Sequence, residues 1–207
     1  MMSQIYAIRL MIRRPSGWGS SIFRLASVVC KWRGYNAPLQ QGRAAIYMRW
    51  KDIRVGDRTF SMAHLQPFDL AFDVAHEQVT VKFEFGLHCF TDDKGNGHLI
   101  HYRGERRYFC SERYHCSTQL VEYIQKRFFQ GLAVPFYTES SQRYFCLDLH
   151  DYAIFFSISK PQGTTNLLKL RIISAYKVAT WGRPALPRGK PHNIRYILEM
   201  RNAGKSI

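Results

Sequence analysis

Two stretches of alternation dominate the middle of the chain. In Phe68-Asp69-Leu70-Ala71-Phe72-Asp73-Val74, apolar side chains alternate with mostly polar ones. After Ala75-His76-Glu77-Gln78, the run Val79-Thr80-Val81-Lys82-Phe83-Glu84-Phe85 does the same. Neighbouring side chains on a strand point to opposite faces, so a period of two predicts a β-hairpin with one buried face. The chain leaves this hairpin over residues 86–91. Asp92-Asp93-Lys94-Gly95-Asn96-Gly97 then reads as a surface turn, and residues 98–102 and 108–110 as short strands.

The period changes next. Leu120, Val121, Ile124 and Phe128 recur at helical spacing. The helix starts at Ser111 or Ser117, with Ser117 as the expected N-cap. Lys126 and Arg127 suit the negative end of its dipole, and Gly131 ends it. Residues 133–137, 143–149, 152–159 and 167–178 read as four strands joined by links at 138–142, 150–151 and 160–166. Links this short require antiparallel neighbours. A basic loop over 181–191 leads to a final helix, capped by Asn193, with Ile194, Ile197 and Leu198 inward and Gly204 past its end. The expected fold class is α+β: an antiparallel sheet, made of a four-strand meander plus the N-terminal hairpin, with at least two helices.

Charge divides the chain at residue 51. Residues 1–51 hold nine Lys or Arg and no Asp or Glu, whereas the whole chain of 207 residues carries +15 from 30 basic and 15 acidic residues. Residues 52–207 therefore carry only +6 and are read as a single α+β domain behind a basic arm. Pro15–Ser21 and 34–38 are breaker clusters, and Ile22, Leu25, Ala26 and Val29 between them suit one face of a short basic helix. Three readings of the arm compete: a transit peptide, a nucleic-acid-binding arm, or an extension before a start at Met48 or Met62. A second acid-free stretch spans 167–190, with Lys169, Arg171, Lys177, Arg183, Arg188 and Lys190.

A basic balance of this size fits RNA or another nucleic acid, or an acidic protein partner. No apolar run reaches the roughly 20 residues of a membrane helix, so no membrane partner is expected. The five cysteines, Cys30, Cys89, Cys110, Cys116 and Cys146, lack the spacing of a disulfide scaffold, which fits a reduced, cytoplasmic setting.

One local segment carries a resemblance. A helix followed by a four-strand meander, ending in Leu170-Arg171-Ile172-Ile173-Ser174-Ala175-Tyr176, resembles the RelE, barnase and colicin D group of small endoribonucleases. The likeness covers residues 117–196. It implies RNA cleavage without a metal, which needs a base, an acid and a cation for the phosphate. The catalytic candidates are then Arg171, Ser174, Tyr176 and His192, with His150 at a strand-to-strand turn. Lys169, Arg195, Lys177, Arg183, Arg188 and Lys190 are candidates for binding nucleic acid. Alternation sets Lys169, Arg171 and Ile173 on one side and Ser174 and Tyr176 on the other, so convergence requires a bulge or a strongly twisted strand end.

Elsewhere, Arg103, Arg106 and Arg107 form a basic turn between Tyr102 and Tyr108, suited to gripping phosphates beside stacked bases. His88 or Cys89 with Cys110, His115 or Cys116 offers zinc donors, but no CxxC pair gives them the spacing of a finger or ribbon. No phosphate loop, dinucleotide fingerprint, metalloprotease helix or serine elbow occurs. No metal and no cofactor are expected. The leading reading is an RNA-directed protein with endoribonuclease chemistry. Its rivals are a non-catalytic nucleic-acid-binding or regulatory module and an inhibitor or adaptor that binds an acidic protein surface.

Overall fold

The computed structural model describes residues 50–137, 143–178 and 185–207. The arm to residue 49, with its expected helix and Cys30, lies outside the described residues, as does Arg183. Trp50, which charge alone grouped with the arm, packs on the body. Its indole N–H donates to the Phe85 carbonyl at 2.9 Å, and its ring meets Phe90 and Tyr102.

The fold is α+β. Strands β1 (Ile53–Val55) and β2 (Arg58–Phe60) form a small hairpin. The alternating runs become β3 (Phe68–Val74) and β4 (Glu77–Phe85), paired antiparallel. Val79, Val81, Phe83 and Phe85 are fully buried, as the period of two predicts. The link shortens to Ala75-His76, with φ of 49° and 68°. Two left-handed residues give the turn whose twist matches that of the flanking strands.

Strands β5 (Thr91–Asp92), β6 (Leu99–Tyr102) and β7 (Glu105–Phe109) make a separate antiparallel sheet in the order β5-β7-β6. Arg106 and Arg107, expected in a basic turn, lie within β7. The turn itself is Arg103-Gly104, at φ 49° and 83°.

Helix α1 (Ser111–Thr118) and helix α2 (Leu120–Arg127) follow, broken at Gln119. Ser117 is not a cap. It is buried in α1, where its hydroxyl donates to the Tyr114 carbonyl at 2.7 Å and meets His64 Nε2 at 2.7 Å. Leu120, Ile124 and Phe128 are buried, consistent with their helical spacing.

The meander comprises β8 (Leu132–Tyr137), β9 (Arg143–Asp148), β10 (Tyr152–Ser159) and β11 (Leu167–Lys177), each antiparallel to the next. Strand β12 (His192–Asn193) pairs with β8 and leads into α3 (Ile194–Asn202). The Asn193 side chain caps that helix, accepting from the Arg195 amide at 2.8 Å.

The sheet is mixed and not wholly antiparallel. Its seven strands run β12-β8-β9-β10-β11-β4-β3, and β11 lies parallel to β4, from Leu167 beside Thr80 to Ile172 beside Phe85. Short links dictate the sense of sequential neighbours. Strands β4 and β11 are separated by the small sheet, both early helices and the rest of the meander, so nothing local dictates theirs. One buried cluster extends from Met62 to Leu198. Phe83, Phe128, Phe156 and Phe145 pack in series through it, and burying each contributes roughly 2 kcal/mol.

Candidate functional site

The β10–β11 register contains the bulge that convergence requires. Ser159 faces Lys169 and Ser157 faces Arg171. Past the shift, Phe155 faces Ser174 and Ala153 faces Tyr176. Ile173, between Ile172 and Ser174, has no partner of its own on β10. Alternate residues of β10 share a face, so Lys169, Arg171, Ser174 and Tyr176 all lie on one side of the sheet. Gly86 sits against this bulge. Its amide donates to the Ile172 carbonyl at 2.7 Å, and a Cβ there would lie 2.9 Å from the carbonyl oxygens of both Ile172 and Ile173.

An open cleft of about 550 Å³ lies on this face. Gly86 and His88 enter from the segment after β4, and Tyr102, Arg103 and Glu105 from the β6–β7 turn. Tyr144, Ser157 and Arg171 come from β9, β10 and β11. Arg171 is exposed and makes no ion pair among the described residues. Glu84 lies beside it in the parallel ladder, but the Glu84 carboxylate pairs with Lys169 at 2.9 Å and is 5% exposed. The stretch 167–190 is therefore acid-free in sequence and not in space.

His88 Nε2 lies 2.7 Å from Glu105 Oε2, tying the 3-10 turn Leu87–Cys89 to the tip of the small sheet. Arg113 of α1 braces the same turn. Its Nη1 donates to the His88 carbonyl at 3.0 Å and to Ser174 Oγ at 3.2 Å, and its guanidinium lies over the Tyr176 ring. Tyr176 also stacks on Phe155. Burial raises the Tyr176 hydroxyl above its ordinary pKa, with the Arg113 charge pulling the other way.

The remaining sequence candidates disperse. His150 occupies the exposed β9–β10 turn at φ 77°. His192 stacks on Tyr196, and Arg195 lies over the Phe129 ring. Arg106 is exposed on β7, whereas Arg107 donates to Thr91 Oγ1 at 3.1 Å. Lys177 is exposed at the end of β11, and Arg188 and Lys190 are exposed in the loop before β12. The cleft thus gathers Arg103 and Arg171, with Lys169 alongside. In the sequence His88 stands out only as a zinc donor, and Glu105 is not singled out at all. Nothing local relates these two, because they lie 17 residues apart on different elements.

No thiolate is poised here. Burial pushes the Cys89 thiol up to about 12, against the Gly86 backbone and the Arg113 and Arg171 charges, and also pushes Cys146 up to about 12. Among the described residues, no group of three or more His, Cys, Asp or Glu is placed to hold a metal ion. None of their helices is long and apolar enough to cross a membrane.

A family model, that of the YjaZ family, matches residues 52–201. The chain belongs to the YjaZ family. The YjaZ match begins where the acid-free arm ends and contains every cleft residue. It takes in the hairpin, the small sheet and the meander together, which overturns the resemblance to RelE, barnase and colicin D toxins. That resemblance treated residues 117–196 as a module, whereas the meander is continuous with the β3–β4 hairpin in one mixed sheet. No curated protein and no solved structure matches this YjaZ-family chain.

Proposed function

We propose that the cleft binds single-stranded RNA, with a phosphate on Arg171 and Arg103 and a base against the aromatic wall. The observation that carries this reading is Arg171: an exposed guanidinium in a cleft, without an ion-pair partner among the described residues, beside a second arginine and two tyrosines. A guanidinium stays charged at any physiological pH and matches phosphate with a planar fork of donors. Tyr102 packs tilted against the Trp50 ring, and the Arg103 guanidinium lies 5.4 Å from the Tyr102 ring centre. Tyr144 adds a ring from the main sheet. Aromatic and guanidinium planes stack on any base, so such a wall suits unpaired strands with little sequence preference. The cleft volume lies within the usual range for sites that hold a nucleotide-sized group.

The test is a titration of labelled single-stranded RNA, double-stranded RNA and single-stranded DNA against the full chain at several salt concentrations. Single-stranded RNA should bind most tightly, with affinity falling as salt rises. Arg171→Ala and Arg103→Ala should each weaken binding and flatten the salt dependence by about one released counterion. His150→Ala and His192→Ala, which lie away from the cleft, should bind as the parent does. Salt-insensitive binding, or equal affinity after Arg171→Ala, would remove this reading.

A further inference from the structure

We propose that His88 is the general base of an RNA-cleaving reaction in this cleft, with Glu105 as its positioning residue. This inference rests on the cleft being an RNA site. The pairing of His88 Nε2 with Glu105 Oε2 at 2.7 Å decides which ring nitrogen can act. A carboxylate only accepts, so neutral His88 carries its hydrogen on Nε2 and its lone pair on Nδ1. Nδ1 has no hydrogen-bond partner among the described residues, and the His88 side chain, 31% exposed, lines the cleft with Arg171. This is the arrangement in which a carboxylate orients an imidazole and stabilises the imidazolium formed when it takes a proton.

The backbone of His88 is also fixed. Arg113 reaches both the His88 carbonyl and Ser174 Oγ with one nitrogen, linking the turn that carries the base to the bulged strand that carries Arg171. The charged groups bearing on His88 are Glu105 and Arg103 of the small sheet, Arg113 of α1 and Arg171 of β11.

The step balances without a co-reactant. His88 Nδ1 takes the proton of a ribose 2′-hydroxyl. The 2′-oxygen forms a bond to the adjacent phosphorus as the bond from phosphorus to the 5′-oxygen breaks. The imidazolium then returns the proton to the departing 5′-oxygen. The products are a 2′,3′-cyclic phosphate end and a 5′-hydroxyl end. Arg171 offsets the charge that builds on the non-bridging oxygens.

The experiment incubates labelled single-stranded RNA with the full chain in chelator, and measures binding in parallel with a 2′-deoxy analogue that cannot react. The parent protein should cut RNA to cyclic-phosphate ends and leave the analogue intact. His88→Ala and the bulkier His88→Gln should each bind the analogue as the parent does and cut at least about 100-fold more slowly. Added imidazole should restore part of the His88→Ala rate. Glu105→Gln should bind the analogue as the parent does and cut more slowly, a loss in kcat with KM unchanged, because the imidazole loses the carboxylate that orients it. Binding of the analogue without cleavage of RNA would overturn this inference and leave the binding site standing. Loss of both would overturn both, and parental cleavage by both His88 variants would exclude His88 as the base.

Discussion

The amide of Gly86 donates to the carbonyl of Ile172 at 2.7 Å, where β4 parts from β11. This contact seats the turn carrying His88 against the bulge that aligns Arg171 with Ser174. Gly86→Ala would place a methyl 2.9 Å from two backbone oxygens that cannot move independently of the sheet. The variant should lose about 1–3 kcal/mol of stability, read as a lower urea midpoint with an unchanged slope. It should also bind RNA more weakly. A parental midpoint would mean that the bulge yields easily.

Glu84 and Lys169 form an ion pair with one nearly buried partner. The Lys169 side chain is 44% exposed, so the pair falls between an exposed bridge and a fully buried one. Lys169→Met should cost about 2 kcal/mol, mostly by leaving a buried carboxylate uncompensated. Adding Glu84→Gln should recover part of that loss. Glu84→Gln alone should tighten RNA binding by freeing Lys169 for phosphate. Strict additivity in a double-mutant cycle would show that the pair carries no coupling.

His64 gives the fold an acid-sensitive contact. It sits half-buried on the turn Ala63–Leu65 against Ser117 of α1, and burial lowers its pKa below 6.5, with a Ser61 backbone hydrogen bond opposing. The folded state then binds this proton less readily than the unfolded state. The contribution of His64 is present above pH 6.5 and is lost as pH falls from there through the lowered folded value. His64→Gln should flatten the rise of stability with pH across that window. Identical slopes in the two proteins would show that His64 does not titrate on folding.

The thiols act at the other end of the pH range. Cys89 and Cys146 sit at about 12 when folded, against 9.0 when unperturbed. The folded state holds these protons more tightly, so stability should fall as pH rises from about 9 towards 12. Iodoacetamide at pH 8 should label both thiols slowly in the folded protein and readily in urea. Fast labelling of the folded chain would show that the two sulfurs are accessible.

Much of the fold was legible in local pattern. Val79 to Phe85 announced a strand by alternation, Leu120 to Phe128 a helix by its period, and Asn193 the last helix by its cap. Local sterics and hydrogen bonding act over a few residues, so a few residues suffice to read them. The site was legible only in fragments. Arg171 and Arg103 were recognised as anion-binding candidates, but His150, His192 and Arg195 were grouped with Arg171 by closeness in sequence and lie elsewhere in space.

By itself, then, the sequence determined the main hairpin, the meander and its antiparallel sense, the last helix, and a basic body with an acid-free start. Tertiary structure decided that β4 runs parallel to β11, that Glu84 pairs with Lys169 and leaves Arg171 without an ion pair among the described residues, and that the turn carrying His88 meets Glu105 of the small sheet. It also decided that one extra residue at Ile173 turns Ser174 and Tyr176 onto the face of Arg171. Each of these depends on how distant strands share one buried core. The energy of that packing belongs to the whole sheet and leaves no local period to read.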